Sequence, residues 1–235
     1  MPDKVSPIEA LPPASRAWGE IGPHSERPHW GMVVDTERCL GCWSCAVICK
    51  SENNVPLGGW WNRILTEGEA LDQPRTQRGA LEMSWLPLAC QHCENAPCVK
   101  ACPVAATYHR DDGLVMMDND RCIGCRYCMI ACPYGVRTFN WGHPARPTEH
   151  ETGMVAARPL GTVEKCTMCV HRLAESQVPS CVWSCPAGAR VFGDLNDPAS
   201  RVNALIRERE GAPLLEEVGT RPSVSYLPSR RKRPL

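Results

Sequence analysis

The sequence predicts an α+β fold in which two pseudo-symmetric modules with long loops carry extended arms at both ends. Three observations predict it. Sixteen of the 235 residues are cysteine, in four groups of four with none left over, while aromatics are only 6% of the chain, so something other than apolar packing must organise it. A stretch around the first cysteine group recurs around the third, which marks a duplicated unit. The segments between groups read as short strands and turns.

Length and charge bound the function. A chain of 235 residues with 43% hydrophobic content builds a real core, which excludes a disulfide-stapled mini-protein. Lys plus Arg equals Asp plus Glu at 26 each, so no basic excess points to nucleic acid. The best apolar runs, such as residues 85–90, are interrupted by Pro87 and fall far short of the roughly 18 residues that span a bilayer. The chain is therefore expected to have no transmembrane segment. Its N-terminus carries neither a secretory signal nor a twin arginine, Arg16 standing alone. A cytoplasmic or membrane-peripheral place is expected, with export only beside a signal-bearing partner.

Residues 1–29 hold six prolines and little periodicity, and read as an extended arm. The main domain is expected over residues 30–195. At its start Val33-Val34-Asp35-Thr36-Glu37-Arg38-Cys39-Leu40-Gly41-Cys42 lies on Met116-Met117-Asp118-Asn119-Asp120-Arg121-Cys122-Ile123-Gly124-Cys125, a short strand, a turn and a cysteine loop used twice. Residues 107–110 and 114–117 flank Asp111-Asp112-Gly113 as a hairpin, and residues 136–140 and 190–192 are further strand candidates. Residues 196–235 are expected to hold a helix and a basic tail. Asp197 would cap the helix with Pro198 at its first position, Val202, Leu205 and Ile206 sharing one face and Gly211 closing it. Residues 212–235 read as a second arm, ending in Ser229-Arg230-Arg231-Lys232-Arg233.

The cysteine spacing carries the chemistry. Cys39, Cys42, Cys45, Cys49 and Cys122, Cys125, Cys128, Cys132 both read C-x2-C-x2-C-x3-C, the bacterial ferredoxin run, in which three cysteines hold one cubane cluster and the fourth reaches another. Cys90, Cys93, Cys98, Cys102 and Cys166, Cys169, Cys181, Cys185 widen one gap and keep the closing x3. Proline follows the last cysteine as Pro103, Pro133 and Pro186, turning the chain away from the ligand, whereas group one has Lys50. Four zinc sites are the alternative, since C-x2-C pairs also make tetrahedral centres, but three cysteines within seven residues suit a cubane corner better. Disulfides fit such tight loops poorly.

Only 19 residues separate Cys102 from Cys122, so groups two and three are placed to exchange fourth cysteines, leaving groups one and four to each other. The expected sets are Cys39, Cys42, Cys45 with Cys185; Cys166, Cys169, Cys181 with Cys49; Cys90, Cys93, Cys98 with Cys132; and Cys122, Cys125, Cys128 with Cys102. Two bacterial-ferredoxin-like modules of two [4Fe-4S] clusters each would result.

Over residues 30–195 the sequence resembles the four-cluster iron-sulfur subunit of the complex iron-sulfur molybdoenzymes, the dimethyl sulfoxide reductase family. The resemblance rests on Trp30-Gly31-Met32-Val33-Val34-Asp35, Cys90-Gln91-His92-Cys93-Glu94-Asn95-Ala96-Pro97-Cys98, Cys122-Ile123-Gly124-Cys125-Arg126-Tyr127-Cys128 and Lys165-Cys166-Thr167-Met168-Cys169. It implies the same ligand sets, four [4Fe-4S] clusters, a catalytic partner with a molybdenum or tungsten bis-pterin cofactor, and often a quinone-reactive membrane anchor subunit.

The expected role is electron transfer within an anaerobic oxidoreductase, without catalysis by this chain, since no nucleophile and base pair, phosphate loop or dinucleotide fingerprint is legible. A self-standing polyferredoxin, a hydrogenase or formate dehydrogenase linker, and a zinc-organised interaction module are the competing readings. Arg126, Lys165, Arg121 and Lys50, with Arg38, Lys100 and Arg172, are candidates for raising cluster potentials. His92 is a candidate sulfur hydrogen-bond donor or substitute ligand; Trp43, Trp60, Trp61 and Met168 read as packing residues.

Overall fold

The computed structural model describes residues 21–22, 24–67, 76–77, 80–81, 84–142, 155 and 158–228. Most of the first proline-rich arm and the basic end from Ser229 onward lie outside the described residues. In chain order the elements are β1 (Trp30–Asp35), α1 (Ser44–Glu52), β2 (Asn62–Glu67), β3 (Thr76–Gln77), β4 (Ala80–Leu81), β5 (Ser84–Ala89), α2 (Pro97–Lys100), β6 (Thr107–His109), β7 (Val115–Met117), α3 (Tyr127–Ile130), β8 (Thr138–Phe139), β9 (Val163–Glu164), α4 (Val170–Ala174), α5 (Ser180–Trp183), β10 (Arg190–Asp194), α6 (Arg201–Arg209) and β11 (Val224–Leu227). It is a mixed α/β arrangement of short elements, and no helix among the described residues is long and apolar enough to cross a membrane.

Strand β1 is buried along its whole length because both of its edges are used: β10 pairs antiparallel on one side and β11 parallel on the other. This corrects the expectation of an arm from residue 212. Leu227 is fully buried with Val33 and Val202, and α6 covers them with Leu205 and Ile206. The chain gains apolar burial there that it would lose as a free tail. Helix α6 starts three residues later than the sequence suggests: Ser200 Oγ accepts from Asn203 N–H at 3.4 Å and is the cap, while Asp197 Oδ1 accepts from Ala199 N–H at 2.9 Å in the preceding turn. Glu210 takes the left-handed conformation at its end, and Gly211 N–H returns to Ile206 C=O.

The remaining sheets are two-stranded. Strands β6 and β7 form the expected hairpin, β2 pairs with β5, and β8 pairs with β9, a strand too short to be read from sequence. The repeat is visible in atoms. Asp35 Oδ1, ending β1, accepts from the N–H groups of Glu37 and Arg38 at 3.1 and 3.4 Å; Asp118 Oδ1, following β7, accepts from Asp120 and Arg121 at 3.0 and 3.3 Å. Each carboxylate closes the turn that delivers a cysteine run. Ten of the sixteen cysteines are buried, and eight of these take places in the two larger cores that aliphatic side chains would otherwise fill.

Candidate functional site

All four C-x2-C pairs are built by one backbone device. The residue before the second cysteine is left-handed in each: Gly41 at φ 67°, His92 at 45°, Gly124 at 68° and Met168 at 56°. That conformation turns its N–H back onto the first cysteine. His92 N–H donates to Cys90 Sγ at 3.5 Å, Gly124 N–H to Cys122 Sγ at 3.4 Å and Met168 N–H to Cys166 Sγ at 3.3 Å, and Gly41 N–H serves Cys39 in the same way. Trp43 and Arg126, which follow the second cysteine of the two regular runs, are also left-handed, both at φ 62°, and start α1 and α3.

The closing cysteines are served from the other side. After each C-P, a left-handed residue three places on, Ala105, Gly135 or Gly188, bends the chain over the sulfur. Ala106 N–H donates to Cys102 Sγ and Ala189 N–H to Cys185 Sγ, both at 3.2 Å. Group one shows what Lys50 changes. Without proline α1 continues to Glu52, and Asn53 Nδ2 supplies the donor to Cys49 Sγ at 3.8 Å.

The sulfurs surround spaces rather than points. One cavity is lined by Cys49, Cys90, Cys166, Cys169 and Cys181. A second is lined by Cys90, Cys93, Cys98 and Cys132, and a third by Cys39, Cys42, Cys45 and Cys185. Cys102 and the first three cysteines of group three stand nearer the surface: Cys125 is exposed, Cys122 and Cys102 are half-buried, and only Cys128 is buried. All sixteen thiols are free, and among the described residues no three His, Cys, Asp or Glu side chains close around a single-ion position. Sulfurs that line a shared space without converging on one point suit a polynuclear cluster, whereas zinc needs them about 2.3 Å from one point.

Burial and mutual repulsion push several of the buried thiols up. Cys166 is raised to about 12 by burial and by the neighbouring Cys90 and Cys169, and Cys93 to about 12 by burial and Cys90. Cys49 and Cys181 are raised as well, chiefly by burial. Sulfurs so placed become thiolates only with a metal to hold them.

The predicted cations separate into two classes. Lys165 is buried, its Nζ donating to the carbonyls of Val115 and, at 2.9 Å, Cys166. It lines the cavity of Cys90 and Cys93 while adjoining Cys166 of the next. Lys50 Nζ is held by the carbonyls of Pro56 and Gly59 at 2.5 and 2.7 Å and lies over the Trp60 ring. Arg126 packs over Phe139 and Trp141, Lys100 bonds Asn95, Arg172 bonds Val178 C=O and faces Glu52, and Arg121 is largely exposed beside Asp118. Trp61 is buried under Arg158, Trp43 and Trp60 meet edge to face, and Met168 packs in the core. His92 is fully buried with Nδ1 accepting from Val115 N–H at 3.1 Å, and burial together with Lys165 and Arg137 pushes its imidazole well below its ordinary value. Its sulfur contact is through the backbone N–H.

Two buried cations escaped the sequence reading, Arg137 and Arg190, both lining cysteine cavities. Arg190 Nη2 donates to Asn62 Oδ1 at 2.8 Å, Arg137 Nη1 to Thr107 Oγ1 at 3.3 Å; Nε of both and Nη2 of Arg137 have no partner. Buried donors left over at a cavity of thiols fit an anionic cluster. The signal was present as a repeated C-P-x-G-x-R.

Comparison with known proteins agrees. A 4Fe-4S dicluster domain matches residues 81–147 and 153–195. A Halobacterium salinarum chain assigned as the iron-sulfur subunit of a dimethyl sulfoxide reductase is 55% identical over 206 residues, covering 85% of this chain and 79% of that one. The chain belongs to the iron-sulfur subunits of the complex iron-sulfur molybdoenzymes. A tetrathionate reductase subunit of Salmonella typhimurium is 42% identical over 86% of this iron-sulfur subunit and 74% of its own length. The arsenate respiratory reductase iron-sulfur subunit of a Shewanella species is 38% identical over 85% and 96%. As an iron-sulfur subunit of this family the chain serves electron transfer, and its sixteen cysteines fit four [4Fe-4S] clusters.

Proposed function

We propose that the chain relays electrons through four clusters arranged in two pseudo-symmetric modules within residues 30–195, flanked by the segments 1–29 and 196–235. Site A is held by Cys39, Cys42, Cys45 and Cys185; site B by Cys166, Cys169, Cys181 and Cys49; site C by Cys90, Cys93, Cys98 and Cys132; site D by Cys122, Cys125, Cys128 and Cys102. The observation that carries the reading is that three cavities each bring three cysteines of one group together with the closing cysteine of another, the cavity of Cys166 also touching Cys90.

Adjacency supports the order A, B, C, D. Arg190 lines the cavities of A and B, and Cys90 and Gln91 line those of B and C. Burial falls away at the two ends, where Cys42 in A and Cys125 in D are exposed. Bound clusters would supply one-electron storage. The chain's own residues fix the spacing, exclude water, aim N–H groups at the sulfurs and place Lys165 beside B and C, which favours the more negative, reduced state.

The ends would face a molybdenum or tungsten bis-pterin catalytic subunit and a second redox partner, such as a quinone-reactive membrane anchor, with this subunit peripheral to the membrane. Anaerobic purification of the tagged protein from its host, with metals measured per chain, tests this. About sixteen iron with stoichiometric molybdenum or tungsten is expected. Full iron without either heavy metal would replace the reading by a self-standing polyferredoxin, and zinc in place of iron would overturn it.

A further inference from the structure

We infer that Arg137 and Arg190 are shared cations, each set between the two clusters of one module so that both members of the pair answer to a single guanidinium. The inference rests on the four-cluster reading above. The two residues stand fifth after a cysteine in a repeated run, Cys132-Pro133-Tyr134-Gly135-Val136-Arg137 and Cys185-Pro186-Ala187-Gly188-Ala189-Arg190. Gly135 and Gly188 turn both runs alike, at φ 58° and 56°.

Each guanidinium reaches two ligand sets. Arg190 lines the cavities of A and B, its Nη1 lies 4.0 Å from Cys181 Sγ of B, and its charge acts on Cys45 and Cys185 of A. Arg137 lines the cavity of C, and its charge acts on Cys98 and Cys90 of C and on Cys128 of D. Through Thr107 Oγ1 it is also tied to the strand that follows Cys102. Both side chains are buried, and neither forms an ion pair with a carboxylate among the described residues.

A buried guanidinium is costly unless an anion compensates it, and arginine does not give up its proton. The anion available to each is a pair of thiolate-ligated clusters. When an electron crosses a pair, one member is oxidised and the other reduced, and no proton or ligand moves. Negative charge passes from one side of the cation to the other, so its attraction changes little and the hop stays close to level in energy. Between modules, an electron would pass from the cluster pair beside one arginine to the pair beside the other.

The test is a potentiometric titration of the holoprotein followed by low-temperature electron paramagnetic resonance, on wild type, Arg190→Gln and Arg137→Gln. Iron near sixteen per chain in the wild type must come first; its absence sinks the cluster reading itself. In Arg190→Gln two of the four midpoints should fall together, the reduced fraction at the wild-type midpoint dropping about tenfold, or about 59 mV for one electron. In Arg137→Gln the other two should fall. A single midpoint moving, all four moving, or the same two moving in both variants would overturn the inference. Where a glutamine variant fails to load iron, the lysine variant decides: a point charge cannot face both clusters as the planar fork does, so the two members of that pair should separate in potential. Four unchanged midpoints there would overturn it.

Discussion

Cys49 and Cys169, 120 positions apart in the chain, share one hydrogen-bond donor: Asn53 Nδ2 lies 3.8 Å from the first sulfur and 3.7 Å from the second. The same nitrogen donates to Cys49 C=O at 3.0 Å, which fixes the side chain where α1 ends. Replacing Asn53 by leucine removes one neutral donor from two sulfurs of one site. A net hydrogen bond of about 0.5–1.5 kcal/mol corresponds to a fall of roughly 20–60 mV in one midpoint. A titration in which no midpoint moved would show that the amide serves the backbone alone.

The crossed ligand sets make a second prediction. Cys49→Ser should extinguish the same resonance as Cys166→Ser, although Cys49 lies in the run of Cys45, and Cys185→Ser should extinguish that of Cys45→Ser. Low-temperature spectra of the four variants decide it. Loss of one common signal in Cys49→Ser and Cys45→Ser would make group one a self-contained site.

How much of this was legible follows from the kind of signal each feature leaves. The four groups, the repeat and the hairpin before Cys122 rest on spacing and turn chemistry, which are local. Strand β9 could not be read, because two residues, Val163 and Glu164, carry no periodicity and are strands only by pairing with Thr138 and Phe139. Strand β11 reads as part of an arm because its burial depends on β1, some 190 residues earlier. Among the cations, proximity to a cysteine in sequence selects Arg121 and Arg126, whose side chains face Asp118 and the rings of Phe139 and Trp141. The buried Arg137 and Arg190 sit five residues past theirs, Arg137 directly before β8 and Arg190 at the start of β10.

Gly124 is predicted to tolerate no side chain. Its φ is 68°, and a Cβ would stand 2.2 Å from the carbonyl oxygen of Gly161, a backbone atom that cannot swing aside. Left-handed strain and the clash together should cost Gly124→Ala about 2–4 kcal/mol and draw the N–H away from Cys122 Sγ. Gly161, at φ 77° with open space around it, is the control: Gly161→Ala carries the strain alone, about 1–2 kcal/mol. Thermal melting with iron retention compares them, and equal losses would refute the clash.

Burial should decide which predicted cations matter. Lys165 is almost fully buried between sites B and C, whereas the Arg121 side chain is 63% exposed and 3.9 Å from Asp118. Water and salt screen the second charge and not the first. Lys165→Met should therefore lower at least one midpoint by about 59 mV or more, a tenfold change in reduced fraction, while Arg121→Gln leaves all four within a few millivolts. Equal shifts in the two variants would remove burial as the deciding factor.

Asp194 anchors the segment that leads into β1. Its carboxylate accepts from Ser25 N–H at 2.8 Å, Ser25 O–H at 2.6 Å, His29 N–H at 2.8 Å and Asn196 N–H at 2.8 Å. Burial alone would raise this carboxyl, but the hydrogen bonds from Ser25, His29 and Asn196 outweigh it and hold it below the usual carboxylate range. A carboxyl lowered on folding stabilises fully above its unfolded value of about 3.9 and loses that contribution as pH falls through the lower folded value. Amide exchange protection at His29 should thus stay level from pH 8 to pH 5, and Asp194→Asn should lose it throughout that range, since its amide group turns donors onto donors. The alternative anchor lies close by: His24 meets the Trp30 ring edge to face, and His29 Nε2 bonds Ser223 Oγ at 3.0 Å. Protection at His29 that survived Asp194→Asn would assign the anchor to those contacts and away from the carboxylate.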